Sequence, residues 1–435
     1  MAKVYRDSRF YFFIIPFLLT LSVLAVTFRP VQATDITVDE TTCTLREAID
    51  SANNDTAAGS GCVDGSGDDT IILGTDVILE AALPEIISPI IIEGQGHTID
   101  GNNGSWSVLT VLNNGRLSLK KTLITRGHLT IVATGGAGIK NLSGIVTLTE
   151  SVVKENKADQ NGGGGILNDG GTLTLINSTV SGNTADYTGG GIYNNGALVM
   201  ISSTVSGNSA STNGGGILND GGTVTLSNST VSGNRAKSGG GIDTQAGLEN
   251  SGTLTLKNST VTGNSSKEKG GGISNAFGTV TLINSVISGN SALTGGEEVY
   301  NFGIPEQSII HAHAFNVFGD SSKSTAQAFD GFTPGSNDLT ATSDGTNPTA
   351  LSAILSPLAN NGGPTQTHAL VPGSPALDLD AACSTGLTTD QRGYPRPGTE
   401  GTKCDAGAFE SSVEPTTNNS GTTFFPAVYL LLLGS

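Results

Sequence analysis

Two aspartates recur at one place in a repeating sequence: Asn168-Asp169-Gly170-Gly171 and Asn219-Asp220-Gly221-Gly222, with Asn194-Asn195 at the equivalent place between them. If each repeat is one coil of a stacked structure, Asp169 and Asp220 stand two coils apart, ~9.6 Å along the stack. That is near the ~6.5–9.5 Å at which an inverting glycosidase holds its acid and base carboxyls. The same four residues are also turn chemistry, because Asn and Asp tolerate left-handed backbone and bond their own main chain. The turn is the preferred reading, and Asp169 and Asp220 stand as the alternative catalytic pair. His311-Ala312-His313 puts two imidazoles on one face of a strand, a spacing that suits a metal. A catalytic zinc site takes a third protein ligand, and no obvious one accompanies them. Gly135-Gly136-Ala137-Gly138-Ile139-Lys140 ends in Lys where a calcium-binding nonapeptide needs Asp. No elbow motif marks a nucleophilic serine. No cofactor and no metal site are therefore expected.

The elements that must position these residues are legible from periodicity. Gly-Ile recurs at Ile139, Ile166, Ile192, Ile217, Ile242 and Ile273, and each is followed by a tetrad Val/Ile-x-x-Asn. The tetrads end at Asn156, Asn183, Asn208, Asn234, Asn264 and Asn290, and the Ile242 repeat carries an insertion near residues 245–249. A period of about 25 residues marks a solenoid. Ahead of each tetrad lie alternating apolar pairs: Val146/Leu148, Leu173/Leu175, Leu198/Met200, Val224/Leu226, Leu254/Leu256 and Val280/Leu282. Period two places each pair on one face of a strand, and nothing apolar recurs at helical spacing. The expected fold is therefore all-β, a right-handed parallel β-helix. Coils ~4.8 Å apart would stack Ile on Ile and Val on Val. The repeated asparagines Asn183, Asn208, Asn234, Asn264 and Asn290 would pair amide to amide at one turn, which satisfies polar groups the turn buries.

Composition bounds the class of partner. Formal net charge is −17 and only 14% of residues are charged; nucleic acid, which needs basic patches, is excluded as a partner. Lys3, Arg6 and Arg9 precede an apolar run over residues 10–28, and Val31-Gln32-Ala33 offers a cleavage site, so residues 1–33 read as an export signal. The four cysteines suit an oxidising compartment. Cys43 with Cys62 and Cys383 with Cys404 is the simplest of three connectivities.

Along the chain, Thr44-Leu45-Arg46-Glu47 is a capping box that opens a short helix to about residue 53. Residues 34–69 read as an N-terminal cap, 70–320 as the β-helix and 321–350 as a polar loop or linker. Residues 351–410 read as a C-terminal cap, and 411–435 as a polar tail with a short apolar terminus. That apolar run, over residues 424–433, is too short to span a bilayer, which takes ~20 residues. It is either a sorting signal, through which the chain would associate with a membrane, or an end that packs on the last coil.

Family resemblance enters at both ends. Ile36-Thr37-Val38 followed by Cys43-Thr44-Leu45-Arg46-Glu47-Ala48-Ile49 resembles the CSLREA domain of exported bacterial repeat proteins, with Thr44 where that name has Ser. Four stretches in order resemble the choice-of-anchor Q domain. They are Pro357-Leu358-Ala359-Asn360-Asn361-Gly362-Gly363-Pro364-Thr365-Gln366-Thr367-His368, Pro372-Gly373-Ser374-Pro375-Ala376-Leu377-Asp378, Asp390-Gln391-Arg392-Gly393-Tyr394 and Cys404-Asp405-Ala406-Gly407-Ala408-Phe409-Glu410. The repeats are similar, more loosely, to those of polymorphic outer-membrane adhesins. These resemblances imply an exported, secreted or cell-surface β-helix and no defined activity. The Asp-Asp, Asn-x-Asp, Gly-His-Gly and Arg-x-Lys motifs of polygalacturonases have no local counterpart; Asp68-Asp69 occurs without those companions. Basic residues on the coils (Lys154, Arg235, Lys257 and Lys267) are scattered. The expected function is thus non-enzymatic: adhesion to a host or neighbouring cell, or binding of extracellular polysaccharide. The alternative is a polysaccharide lyase or glycoside hydrolase of the pectinase-like class.

Overall fold

The computed structural model describes residues 34–411 apart from 60, 131–134, 161, 248–249, 305 and 399–401. The expected signal over residues 1–33 and all but the first residue of the 411–435 tail lie outside the described residues.

Each sequence repeat is one coil. Thr172–Ile176 turns at Asn177 (φ 50°) into Thr179–Ser181, then into Thr184–Ala185, and returns through glycines to Ile192–Asn194. Stacking such coils builds three long parallel sheets and a narrow fourth. Sheet A contains Thr172–Ile176, sheet B contains Thr179–Ser181, and sheet C contains Ile166–Asp169. The fold is a right-handed parallel β-helix, as periodicity predicts. Ile139, Ile166, Ile192, Ile217, Ile242 and Ile273 are successive register partners in sheet C and are fully buried. The apolar pairs of sheet A and the tetrad valines of sheet B complete the core. Each such side chain adds about 1.5–3 kcal/mol on burial.

Glycine before each isoleucine follows from coil spacing. A Cβ on Gly191 would lie 2.6 Å from the Gly216 carbonyl oxygen and 3.0 Å from the Asn208 amide. Coils in van der Waals contact leave no room for a side chain there.

Polar side chains inside the turns form ladders with a direction. In the tetrad asparagines, Nδ2 of Asn183 donates to Oδ1 of Asn208 at 2.9 Å, and the Asn183 N–H donates to the same oxygen. The pattern repeats from Asn156 to Asn290. Ser151, Ser178, Ser203, Ser229, Ser259 and Ser285 form a second ladder, each hydroxyl accepting the preceding rung's N–H. Because every rung donates toward the C-terminus, each ladder must end on a group that only accepts. Asn290 donates to Glu298 at 2.6 Å, and Asn316, which closes the serine ladder, donates to Asp338 at 2.9 Å.

At the N-terminal end a helix packs on the first coil. Helix α1 (Leu45–Asn54) is opened by the Thr44/Glu47 capping box and buries Leu45, Ala48, Ile49 and Ala52 against the first coil. Asp35–Val38 already pairs in parallel with Asp69–Leu73, so the β-helix begins inside the segment read as a cap. Disulfides join Cys43 to Cys62 and Cys383 to Cys404.

The C-terminal assignments need correction. Residues 321–350 are not a linker: Phe329–Asp330 and Leu339–Thr340 pair with the last coil, and Phe318, Phe329 and Phe332 pack edge to face over the open core. A core this narrow is plugged by three rings, which a Ser/Thr/Gly/Asp-rich composition conceals. Residues 351–410 do not cover the end either. They run back along the flank as a strap on the outward face of sheet B. Gln391 is the central clamp, accepting from Thr230 Oγ1 at 2.6 Å and donating to Thr204 Oγ1 and Thr365 Oγ1 at 2.8 Å. Asn228 and Asn284 donate to the Thr389 and Asp405 carbonyls, and Ser232 meets His368 Nε2 at 2.8 Å. Gly407 (φ 92°) sits so close that a Cβ would be 2.8 Å from Thr260 Oγ1. The reason is a polar outward row on sheet B (Thr204, Thr230, Thr260) that the strap buries and satisfies.

Candidate functional site

Asp169 and Asp220 close strands of sheet C, and the glycines after them, Gly170 (φ 67°) and Gly221 (φ 75°), take left-handed backbone. The asparagines before them point inward: Asn141, Asn168, Asn194 and Asn219 form a further amide ladder at 2.7–3.0 Å. The Asn-Asp-Gly-Gly stretch thus makes the turn and also presents one outward carboxylate.

The middle coil links the two carboxylates. Asn195 Nδ2 donates to Asp169 Oδ1 at 2.7 Å, and the Tyr193 hydroxyl donates to Asp220 Oδ2 at 2.6 Å. Gln245 Nε2 approaches Asp220 Oδ1 at 3.4 Å. Burial and the Asp220 carboxylate push the Tyr193 phenol well above its ordinary range, so it stays a donor. Together these groups line a cleft of about 560 Å³. Leu167, Tyr193 and Leu218, consecutive in one outward row, form its floor. The far wall carries Thr188, Thr212, Asn213 and Tyr187, whose ring is 58% exposed. None of the lining residues is basic. Lys140, one coil before Leu167 in the floor row, is already engaged.

Tyr187, Tyr193 and Gln245 were not singled out by motif, and Asn195 was noted only for its place between the two aspartates. A signal for two of them was nonetheless present: Gly-Ile-Tyr193-Asn-Asn195 departs from the Gly-Ile-Leu-Asn-Asp of its neighbours.

Asp243 continues the floor row beyond Leu218 but is only 2% exposed, with one carboxyl oxygen unpaired. Burial pushes its pKa up to about 7, against a hydrogen bond from Ser274 and with help from the Asp220 charge. A folded pKa above the unfolded 3.8 favours folding at low pH, and that contribution is lost as pH rises through about 7. The Asp243→Asn variant is expected to abolish a pH-dependent loss of up to about 4 kcal/mol. Urea denaturation of both proteins between about pH 4 and pH 8 measures it; parallel pH profiles would refute the assignment.

The remaining candidates do not join the cleft. His311 and His313 stack at 5.6 Å on the exposed face of sheet A. Among the described residues no group of three His, Cys, Asp or Glu could hold a metal ion.

No family model matches the chain, and no curated protein matches it. A solved structure with a similar chain path is the crystal structure of pectate lyase Pel9A: 15% identity, TM-score 0.48, with 88% of this chain and 98% of that one covered. These figures carry no statement about chemistry.

Proposed function

We propose that the chain is an exported, non-enzymatic polysaccharide-binding protein whose recognition site is the sheet C cleft, and that its ligand is an uncharged or amine-bearing glycan. The observation that carries this reading is the lining: outward carboxylates held by Tyr193 and Asn195, an exposed tyrosine opposite, and no basic side chain. Carboxylate and amide oxygens accept from sugar hydroxyls or ammonium groups, and Tyr187 offers a ring face that is apolar yet edged by a polar tip. A uronate polymer would meet Asp169 and Asp220 unneutralised, and a lyase would lack a cationic base among the lining residues. The two disulfides support the oxidising, exported setting. The resemblances to surface-protein domains at the two ends support the same setting.

A second reading, an inverting glycoside hydrolase, draws on the two-coil separation of Asp169 and Asp220, ~9.6 Å. One substitution separates the two. Asp220→Asn retains an acceptor for Tyr193, so a binder loses no more than a few-fold in affinity, whereas a hydrolase loses turnover entirely. Tyr187→Ala is expected to weaken binding about tenfold, ~1.4 kcal/mol. The experiment is a binding panel of neutral, amino and acidic polysaccharides run beside a reducing-end assay. Reducing ends released by the native chain and abolished in Asp220→Asn would replace the binding proposal with the hydrolytic one.

A further inference from the structure

The last rung of the asparagine ladder brings an amide, a carboxyl and an amine together. Asn290 Oδ1 accepts from the Asn264 backbone N–H at 3.0 Å and from Asn264 Nδ2 at 2.9 Å. The backbone donor has no acceptor role, so it fixes which amide atom is the oxygen. Asn290 Nδ2 donates to Glu298 Oε2 at 2.6 Å. The other carboxyl oxygen, Glu298 Oε1, accepts from Lys323 Nζ at 2.9 Å, and Nζ also donates to the Asn290 main-chain carbonyl. Glu298 is fully buried and Lys323 is 5% exposed. An amine nucleophile, an amide with two donors on its oxygen, and a carboxyl touching both nucleophile and leaving nitrogen are thus held in one largely dry site.

We propose that Lys323 and Asn290 condense after folding into a side-chain amide cross-link that ties the last asparagine rung to the segment leading into the plug. In the reaction Nζ passes a proton to Glu298 Oε1, and its freed electron pair forms a bond to Asn290 Cγ. The carbonyl electrons move onto Oδ1, where the two Asn264 donors hold the developing oxyanion as an oxyanion hole does. Collapse breaks the Cγ–Nδ2 bond as Glu298 passes its proton to the departing nitrogen, and the regenerated carboxylate takes the second Nζ proton, which leaves with the ammonia. Lysine ammonium plus asparagine amide gives a secondary amide plus ammonium, with no oxidant, metal or nucleotide required.

The proton balance accounts for the timing. Burial raises Glu298 above the ordinary carboxyl range. Burial alone would lower Lys323, but Glu298, Asp320 and Glu297 outweigh it and hold the ammonium. Reaction therefore draws on the fraction in which the proton has crossed the Lys323–Glu298 hydrogen bond, so maturation is slow and follows assembly of the last coil. A cleft of about 490 Å³ lined by Asn290, Glu297, Asp320, Lys323 and Leu351 adjoins the site and gives ammonia a way out.

Mass spectrometry of the full chain decides the matter. Denatured native protein, incubated after folding, is expected to be lighter than its disulfide-bonded sequence mass by one ammonia. Tandem fragmentation should show a branched peptide joining the Asn290 and Lys323 segments. Lys323→Arg and Glu298→Gln should keep the full mass. Full mass in incubated native protein overturns the proposal whether or not the variants fold. So does ammonia lost within the Asn290-Ser291 peptide alone, which signals a cyclic imide, or an equal loss in Lys323→Arg. Loss persisting in Glu298→Gln removes the proton transfer assigned to Glu298.

Discussion

Asn208→Asp is expected to destabilise the central coils by roughly 3–5 kcal/mol, although it exchanges one atom for another of nearly the same size. Asn208 Oδ1 accepts two N–H groups of Asn183, and Nδ2 donates to Val180 O at 3.0 Å and to Asn234 Oδ1 at 2.9 Å. In the aspartate, an oxygen replaces Nδ2 and faces two acceptors at a site only 1% exposed. An ionised carboxylate there is an unpaired buried charge; a protonated one satisfies a single acceptor of the two. The variant's carboxyl pKa should therefore rise on folding, and the stability deficit should shrink as pH falls from that raised value to about 4, where it levels off. An unfolding free energy from urea titration within about 1 kcal/mol of the parent at pH 7 would show that the ladder contributes little.

Arg396→Met should release the flank strap while leaving the coils folded. Arg396 is buried with Glu410 at 2.8 Å, and it also donates to the Asp405 and Gly407 carbonyls at 2.8 and 2.6 Å. Burial pushes Glu410 up to about 7 even with this partner present. Removing the guanidinium leaves the buried Glu410 carboxylate without its counter-charge and takes a donor from the Asp405 and Gly407 carbonyls, a loss of about 3–5 kcal/mol. The loss should be local, because it falls on contacts the strap makes with itself. Hydrogen exchange is expected to rise over residues 351–410 and stay low over the Ile166, Ile192 and Ile217 strands. Pairing Arg396→Met with Glu410→Leu should restore most of the protection. Exchange rising equally in all coils would mean that the strap and the β-helix are one cooperative unit.

Periodicity explains what was legible beforehand. Inward rows, ladder asparagines and the Thr44/Glu47 box each rest on residues whose partners occur one coil or one helical turn away, where spacing alone identifies them. Gln391 was opaque because its partners, Thr230 and Thr204, lie 161 and 187 residues before it, where no spacing rule reaches. The aromatic plug was missed for a different reason. Phe318, Phe329 and Phe332 stand within polar sequence, and only the small cross-section of a β-helix makes so few rings sufficient. The cleft was half legible: Asp169 and Asp220 recur, but Tyr187 and Tyr193 appear once each and become visible only as departures from the repeat.

Ladder polarity also bears on how such a chain changes length. A rung that donates forward and accepts from behind is interchangeable with any other, so a duplicated coil enters the stack without altering the chemistry of its neighbours. Glu298 and Asp338 are needed once, at the terminus, however many rungs precede them. The strap restricts where growth is tolerated. Its anchors run from Ser202 to Asn284, and each meets a particular coil. An extra coil within that span would put the anchors out of step, whereas one added before it would leave them untouched. Gains and losses of whole repeats should therefore accumulate in the N-terminal half, ahead of Ser202, and spare the half the strap measures.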